Sequence, residues 1–199
     1  MSTIENNRRC YQILLEKHAP QGHSRILTAS YLDTPLGTMI AIANEANLYL
    51  LEFIERQNLE GSIERLRKKT KSAILPGSTP ALLSIQNEIH DYFKGTLTNF
   101  KTPVSFWGTP FQIQVWEALK QIPYGETRSY SEVSQSIKKP SAFRALANAN
   151  GANQLAIIVP CHRVIHNNGN LGGYAGGFSR KQWLIGHEVS ITQSPQNTP

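Results

Sequence analysis

The local pattern of the chain changes near residue 100, and this change limits the fold more than any other feature. Before it, three runs have the composition of strands and are separated by turn signals, at residues 26–33, 38–43 and 48–53. A helix is predicted over 60–71. A second helix begins at the Thr79-Pro80 cap and ends near Gly95. The residues expected to face inward on it are Leu83, Ile85, Ile89, Tyr92 and Phe93. The first half is therefore predicted to be a small α/β unit with an antiparallel sheet.

The second half carries helix-start signals instead. The segment Thr109-Pro110-Phe111-Gln112 combines an N-cap, a first-turn proline and a capping-box Gln, and Ser129-Tyr130-Ser131-Glu132 repeats the capping-box pattern. The helix after Ser129 is predicted to end near Ile137. The turn Lys138-Lys139-Pro140 then leads into another helix that reaches about Asn150. Two short helices joined by a tight basic turn are typical of a helix-turn-helix.

These patterns divide the chain into four parts. We predict an N-terminal extension over 1–25, an α/β subdomain over 26–104, a mostly helical subdomain with the helix-turn-helix over 105–189, and a disordered tail over 190–199. The boundary near residue 104 follows from the looser pattern between Leu97 and Gly108.

Positive charge is concentrated in the second half. Residues 1–100 carry 11 Lys and Arg against 10 Asp and Glu, whereas residues 101–199 carry 9 against 4, which leaves +1 and +5 of the total of +6. Basic surface attracts phosphate backbones through counterion release. The second half is therefore the better candidate for a nucleic-acid face.

Cysteine usage and hydropathy exclude several classes of protein. The only cysteines are Cys10 and Cys161, which excludes a disulfide framework and leaves too few thiols for a structural zinc cluster, so we predict no metal. No apolar stretch has the length of a membrane span, and the polar N-terminus lacks a signal-peptide core. We expect a soluble, cytoplasmic protein with no membrane contact.

The segment Pro160-Cys161-His162-Arg163-Val164 places a thiol beside an imidazole. A thiol becomes a nucleophile when a base, a cation or a helix terminus favours the thiolate, and His162 and Arg163 offer two of these. Five glycines between 167 and 177 allow backbone to approach a ligand closely. Neighbouring side chains on an extended segment point to opposite faces, so these residues alone leave Cys161 open between a nucleophile and a buried core thiol.

Several motifs in order give the chain a resemblance to a known family. They are Tyr-Gly-Glu-Thr-x-Ser-Tyr at 124–130, Arg144, Asn153, Pro-Cys-His-Arg-Val at 160–164, Gly-Gly-Tyr-Ala-Gly-Gly at 172–177 and Glu188. From about Thr109 to Glu188 the chain resembles the O6-alkylguanine-DNA alkyltransferases, and residues 33–39 resemble them more weakly. The resemblance implies a ribonuclease-H-like first subdomain and a winged-helix-like helix-turn-helix in the second.

The resemblance also implies an activity. The protein would extrude a damaged nucleotide from double-stranded DNA and move the alkyl group of O6-methylguanine, with O4-methylthymine as a further candidate, irreversibly onto Cys161. A base inside a duplex is out of reach of such a side chain, which is why extrusion is needed. Each molecule would act once, as a monomer and without a cofactor.

The resemblance assigns roles to residues of the active site. Cys161 would attack, His162 would serve as its base through a water, Glu188 would set the tautomer of His162, and Asn153 would brace the loop before the nucleophile. The pocket would be lined by four residues: Val164, Tyr174, Ala175 and Asn150. The carbonyls of Cys161 and Val164 would accept from the guanine amine, and the N–H of Ala175 would face O6.

The resemblance assigns the DNA contacts to the helix-turn-helix. Arg144 would fill the gap left by the extruded nucleotide, Tyr130 would press on the neighbouring phosphate, and we add Ser131 and Lys139 as further DNA contacts. Two positions depart from the family. Ala175 stands where some relatives have Ser, and Asn150 stands where some relatives have an apolar pocket wall. These departures leave open which alkyl groups the pocket accepts.

Two other functions stay open at this level. A thiol hydrolase could use Cys161, His162 and Glu188 for acyl transfer with turnover, and it would need an oxyanion hole. A DNA-binding module that senses lesions without chemistry would use Cys161 only for packing. In that last case the Cys161→Ala variant would keep its full activity.

Overall fold

Residues 25–193 are described in the computed structural model of the chain, and they form two units. The first contains residues 25–93 and 100–107, and the second contains residues 94–99 and 108–193. Cys10 and the predicted N-terminal extension up to residue 24 lie outside the described residues, as do residues 194–199.

The first unit is a four-stranded sheet with two helices. In chain order its elements are β1 (Arg25–Thr34), β2 (Gly37–Ala43), β3 (Leu48–Phe53), α1 (Leu59–Thr70), β4 (Ser72–Pro76) and α2 (Pro80–Phe93). Strands β1 to β3 form the predicted antiparallel meander. The prediction of a wholly antiparallel sheet was wrong, because β4 pairs in parallel with β1 and the strand order is β3-β2-β1-β4. Helix α1 is the crossover that such a parallel connection requires.

The start of α2 shows which side of that helix forms the core. Thr79 caps the helix by accepting a 3.2 Å hydrogen bond from the N–H of Leu82. Leu82 and Ile85 are buried, whereas Leu83 is 55% exposed, so the prediction that Leu83 faces inward was wrong. The helical period of 3.6 residues places Leu82, not its neighbour, on the face that carries Ile85 and Ile89.

The second unit is mostly helical, as predicted. It contains α3 (Pro110–Leu119), β5 (Arg128–Ser129), α4 (Tyr130–Ser136), α5 (Phe143–Gly151), a single 3-10 turn (Cys161–Arg163), β6 (Val164–Ile165) and α6 (Phe178–Gln193). The tail expected to be disordered from Ser190 is helical as far as Gln193. None of the helices between residues 25 and 193 is long and apolar enough to cross a membrane.

Two capping boxes begin helices where the sequence predicts them. Thr109 and Gln112 exchange both hydrogen bonds at the start of α3, and Ser129 and Glu132 do the same at the start of α4. Ser129 also belongs to β5, which pairs in parallel with β6 directly after the Cys161 turn. The start of α4, with Tyr130 as its first residue, is thereby held next to the segment that carries the thiol.

Candidate active site

The chain reaches Cys161 through two very tight turns. The first is centred on Ile157, whose φ is 73°, and a 2.9 Å hydrogen bond joins its two neighbours. The second is centred on Pro160 at φ −80° and ψ 59°, and the N–H of Cys161 donates to the carbonyl of Val159 at 2.7 Å. A β-branched residue at positive φ is strained, and such strain persists only where the surroundings hold it.

The side chain of Asn153 holds this loop. Its Oδ1 accepts from the N–H of Leu155 at 3.0 Å, and its Nδ2 donates to the carbonyl of Val159 at 3.0 Å. The same Nδ2 lies 3.0 Å from Sγ of Cys161. A hydrogen bond to a thiolate favours the ionised form. Asn153 therefore contacts the thiol itself as well as the turn before it.

His162 and Glu188 form a buried pair. Their Nε2 and Oε1 atoms are 2.8 Å apart, and both side chains are almost inaccessible. An ionised carboxylate can only accept, so Nε2 carries the hydrogen and Nδ1 keeps its lone pair. Nδ1 is buried and has no hydrogen-bond partner among the described residues. Burial lowers the pKa of His162 against the opposing effect of Glu188, which leaves the imidazole neutral and able to take a proton.

Arg163 keeps Glu188 ionised. Its Nε and Nη2 donate to the two carboxylate oxygens at 2.8 and 3.0 Å, and its Nη1 donates to the carbonyl of Ile122 at 2.6 Å. Burial alone would raise the pKa of Glu188, but the hydrogen bonds and charges of His162 and Arg163 lower it to about 2. The sequence suggested Arg163 as a cation for the thiol. The structure instead directs its guanidinium at the carboxylate.

Lys181 is a buried cation that sequence reasoning missed. Its Nζ donates to the carbonyl of Val164 at 2.6 Å and lies 3.4 Å from that of Gly173, which joins the Cys161 segment to the glycine-rich loop. Burial lowers the pKa of Lys181 to about 8, and the charge of Cys161 opposes this shift. An available signal was its position seven residues before Glu188, which places both polar residues on the buried face of α6.

Asn150 and Tyr130 lie on another side of Cys161. Nδ2 of the buried Asn150 donates to the carbonyl of Cys161 at 3.3 Å. Burial and the neighbouring Cys161 raise the pKa of Tyr130, and Asn150 opposes this, so its hydroxyl stays protonated at neutral pH. The exposed ring of His166 lies 5.6 Å from that of Tyr130, a contact that the sequence did not indicate.

The other predicted pocket residues come from β6 and the glycine-rich loop. Val164 is fully buried, and its carbonyl accepts from Lys181 as described above. The ring of Tyr174 meets that of His162 edge-on at 6.4 Å between centroids. Ala175 is half-buried. Of the predicted residues, the structure links Cys161 by hydrogen bonds to Asn153 and Asn150. Of the two carbonyls expected to bind guanine, that of Cys161 accepts from the N–H of Val164 and from Asn150, and that of Val164 accepts from Lys181.

The predicted DNA contacts lie on or near the surface of the second unit. Arg144 and Lys139 are exposed, and Ser131 is half-buried. The ammonium of Lys139 lies 5.0 Å from the centroid of the Phe111 ring, so this cation is positioned by a cation–π contact. Within residues 25–193 no group of three or more His, Cys, Asp and Glu side chains is arranged to hold a metal ion.

The unit thus combines several short helices with a thiol, a base and a carboxylate that fixes the base. The sequence profile described as "6-O-methylguanine DNA methyltransferase, DNA binding domain" matches residues 110–190. The chain is 45% identical over 137 residues to the inducible methylated-DNA–protein-cysteine methyltransferase of Bacillus subtilis, a match that covers 68% of this chain and 76% of that protein.

Two further relatives match over a larger share of the chain. The methylated-DNA–protein-cysteine methyltransferase of Salmonella typhimurium is 39% identical over 164 residues, covering 78% of this chain and 91% of that protein. The crystal structure of Mycobacterium tuberculosis OGT in complex with DNA superposes with a TM-score of 0.70 at 38% identity, covering 82% and 94% of the two chains. The chain belongs to the family of methylated-DNA–protein-cysteine methyltransferases.

Proposed function

We propose that this protein repairs DNA by moving the methyl group from O6 of guanine onto Sγ of Cys161, once per molecule. The observation that carries the proposal is the pairing of a thiol held by Asn153 with a neutral imidazole whose free, buried Nδ1 belongs to the adjacent residue. The names of the relatives and the DNA-bound structure among them support the same activity.

The chemistry is an in-line displacement at the methyl carbon. The thiol proton of Cys161 passes, through a bridging water, to Nδ1 of His162, while Nε2–H stays bound to Glu188. Sγ then forms a bond to the methyl carbon as the bond from that carbon to O6 breaks, and the departing guanine takes up the proton. The thioether product has no leaving group that water can displace, so the protein is consumed.

Asn153 and Glu188 position the two reacting groups. Asn153 stabilises the thiolate through its 3.0 Å contact with Sγ. Glu188 stays ionised because Arg163 donates to both of its oxygens, and it selects the tautomer in which Nδ1 is the base. This division of roles is the same as in other relays of nucleophile, base and carboxylate.

The helix-turn-helix would bring the lesion to the thiol. We place α5 in the minor groove with Arg144 in the position of the extruded nucleotide, Tyr130 against the neighbouring phosphate, and Ser131 and Lys139 on the backbone. This assignment is supported by the exposure of Arg144 and Lys139 and by the excess of positive charge in residues 101–199. It treats residues 105–189 as a winged-helix-like DNA-binding and alkyl-acceptor subdomain, next to a ribonuclease-H-like first subdomain.

Val164, Tyr174, Ala175 and Asn150 would form the base pocket. The carbonyl of Val164 accepts from Lys181 and has a second lone pair for the guanine amine. The carbonyl of Cys161 already accepts from the N–H of Val164 and from Asn150, so the guanine amine would replace the 3.3 Å bond from Asn150 there. Asn150 is a buried polar side chain bonded to the carbonyl of Cys161, and a polar wall accommodates an apolar alkyl group poorly, so we propose a preference for methyl over bulky groups. We also propose that the protein works as a cytoplasmic monomer without a cofactor.

The test is intact-protein mass spectrometry after incubation with a duplex that contains one O6-methylguanine. The expected result is the gain of one methyl group, stoichiometric with the protein, mapped to Cys161 and absent in Cys161→Ala. A protein that binds the duplex with unchanged mass would instead be a lesion-sensing module. Multiple turnovers of an ester or amide substrate that depend on Cys161 would identify a thiol hydrolase.

A further inference from the structure

Helix α5 presents an exposed aromatic side chain next to Arg144. The helix is anchored through its buried residues Leu146, Ala149 and Asn150. Phe143, the first residue of the helix, is 46% exposed, and Arg144 beside it is exposed as well. A large apolar side chain on a surface stabilises the protein little in the free state. Single exposed apolar side chains are common on protein surfaces, and it is the position of Phe143 beside the cation proposed to enter DNA that favours a contact in the bound state.

The spacing along α5 relates Phe143 to the thiol. Phe143, Ala147 and Asn150 follow one another at i, i+4 and i+7, so they form one stripe along the helix. At the far end of this stripe Asn150 donates to the carbonyl of Cys161 at 3.3 Å. Ala147, in the middle, is small and exposed, which allows another surface to come close. Phe143 thus stands at the outer end of a row that leads to the backbone of the residue that carries the thiol.

The charge around Phe143 points to a nucleic acid as the surface that covers it. Residues 133–150, which include α5, contain three Lys and Arg and no Asp or Glu. Lys138, Lys139 and Arg144, all exposed, lie within five residues of Phe143. An aromatic ring among cations suits a polymer with anionic phosphates and flat apolar bases, since the phosphates pair with the cations and a base face covers the ring.

We propose that Phe143 is a wedge that enters the minor groove with Arg144 and presses between the base pair beside the lesion and its neighbour. This inference rests on the proposed function and adds a second inserting residue to it. Apolar side chains that partly unstack a base step kink the duplex and ease the exit of a nucleotide. Arg144 occupies the vacated position, and Phe143 holds open the step on the side of the helix that leads to Cys161.

The experiment compares Phe143→Ala with Phe178→Ala, because Phe178 is also the first residue of a helix and is 57% exposed. Methyl transfer to Cys161 is timed by mass spectrometry on two substrates, a duplex with one O6-methylguanine and the free base O6-methylguanine. In a separate arm, a duplex with 2-aminopurine next to the lesion reports unstacking by its fluorescence upon binding. Phe143→Trp serves as the conservative variant.

We expect Phe143→Ala to slow transfer from the duplex by about ten-fold or more and to lose the fluorescence increase, because one base–aromatic contact is removed. Transfer from the free base stays at the wild-type rate, Phe143→Trp restores the duplex rate, and Phe178→Ala matches the wild type. Equal rates for Phe143→Ala and the wild type on the duplex, or equal losses on both substrates, would overturn the wedge. If the wild type binds the duplex but transfers no methyl, the proposed function fails, and the fluorescence arm still decides the role of Phe143.

Discussion

Glu188 is ionised although it is almost completely buried, and this state determines what the neighbouring imidazole can do. It accepts hydrogen bonds from Arg163, from Nε2 of His162 and, at 3.2 Å, from the N–H of Gly125. These donors outweigh the cost of burial. A neutral imidazole beside a fixed carboxylate is a base of defined orientation, whereas an imidazole in water would exchange its tautomers freely.

The stability of the protein should fall in two stages as the pH is lowered. Burial lowers the pKa of His162 below its ordinary 6.5, so the unfolded chain binds this proton first and the free energy of unfolding decreases below about pH 6.5. The pKa of Glu188 is lowered from 4.5 to about 2, so its contribution is complete above pH 4.5 and is lost as the pH falls towards 2. Urea unfolding at pH 7.5, 5.5 and 3.5 measures both stages.

The Glu188→Gln variant separates these two stages. It cannot titrate, so the difference in unfolding free energy between it and the wild type should shrink between pH 5.5 and 3.5. A difference that stays constant over that range would show that Glu188 is not held ionised by its neighbours.

Lys181 should favour the thiolate form of Cys161. The charges of the two groups interact, because Cys161 acts on the pKa of Lys181, and the effect is mutual. Replacing Lys181 by Met keeps much of the apolar stem and removes the cation, so the apparent pKa of the thiol should rise. The measurement is the pH dependence of alkylation by iodoacetamide, with the exposed Lys94→Met as the control. An unchanged profile in Lys181→Met would leave this lysine a purely structural clamp between Val164 and Gly173.

At the scale of elements, local signals were predicted well and long-range contacts were not. The caps at Thr79, Thr109 and Ser129 depend on residues three positions apart, and all three are present in the structure. The parallel strand β4 was missed, because five residues carry too little periodicity and each pairs with a residue 47 positions earlier (72 − 25). The hydrogen-bond partners of Arg163 and Lys181 were also missed, because these partners are distant in sequence and come close only in the folded chain.

The capping box at Ser129 should matter for activity as well as for stability. Ser129→Ala removes the acceptor for the N–H of Glu132 and should cost about 1 kcal/mol of unfolding free energy. Because the same residue pairs β5 with β6 and precedes Tyr130, methyl transfer from a duplex should slow as well. Thr109→Ala, which breaks the equivalent box of α3, is the matched control with a similar loss of stability. Similar rates of methyl transfer from the duplex in the two variants would show that the Ser129 cap contributes to stability only.

At the scale of the whole molecule, the distribution of charge sets the conditions under which it finds DNA. Residues 101–199 carry a net charge of +5, whereas residues 1–100 are nearly neutral at +1. Electrostatic attraction to the phosphates does not depend on the base sequence, so it supplies affinity for any duplex. In the proposed function, selection of the lesion comes from the proposed base pocket and from the ease with which a damaged nucleotide leaves the stack.

Duplex binding should weaken steeply as salt is added. Each phosphate contact that is lost lowers the slope of log affinity against log salt by about one, so Lys139→Ala should reduce the slope by about that amount on damaged and undamaged duplexes alike. Fluorescence anisotropy between 50 and 300 mM salt, on the order of the range in which counterion release dominates, provides the slopes. An unchanged slope in Lys139→Ala would show that Lys139 contacts no phosphate and that its ammonium interacts only with the ring of Phe111.

The burial of Cys161 also bears on how long an unused molecule keeps its capacity. Only 4% of the residue is exposed. Peroxide and other oxidants attack thiolates that they can reach, and a sulfinic or sulfonic acid could not accept a methyl group. A protein that reacts only once loses its whole activity when its single thiol is oxidised. Because the fold shields the thiol until a base is delivered to it, we expect the protein to keep its methyl-accepting capacity under oxidative stress for longer than a protein with an exposed thiolate would.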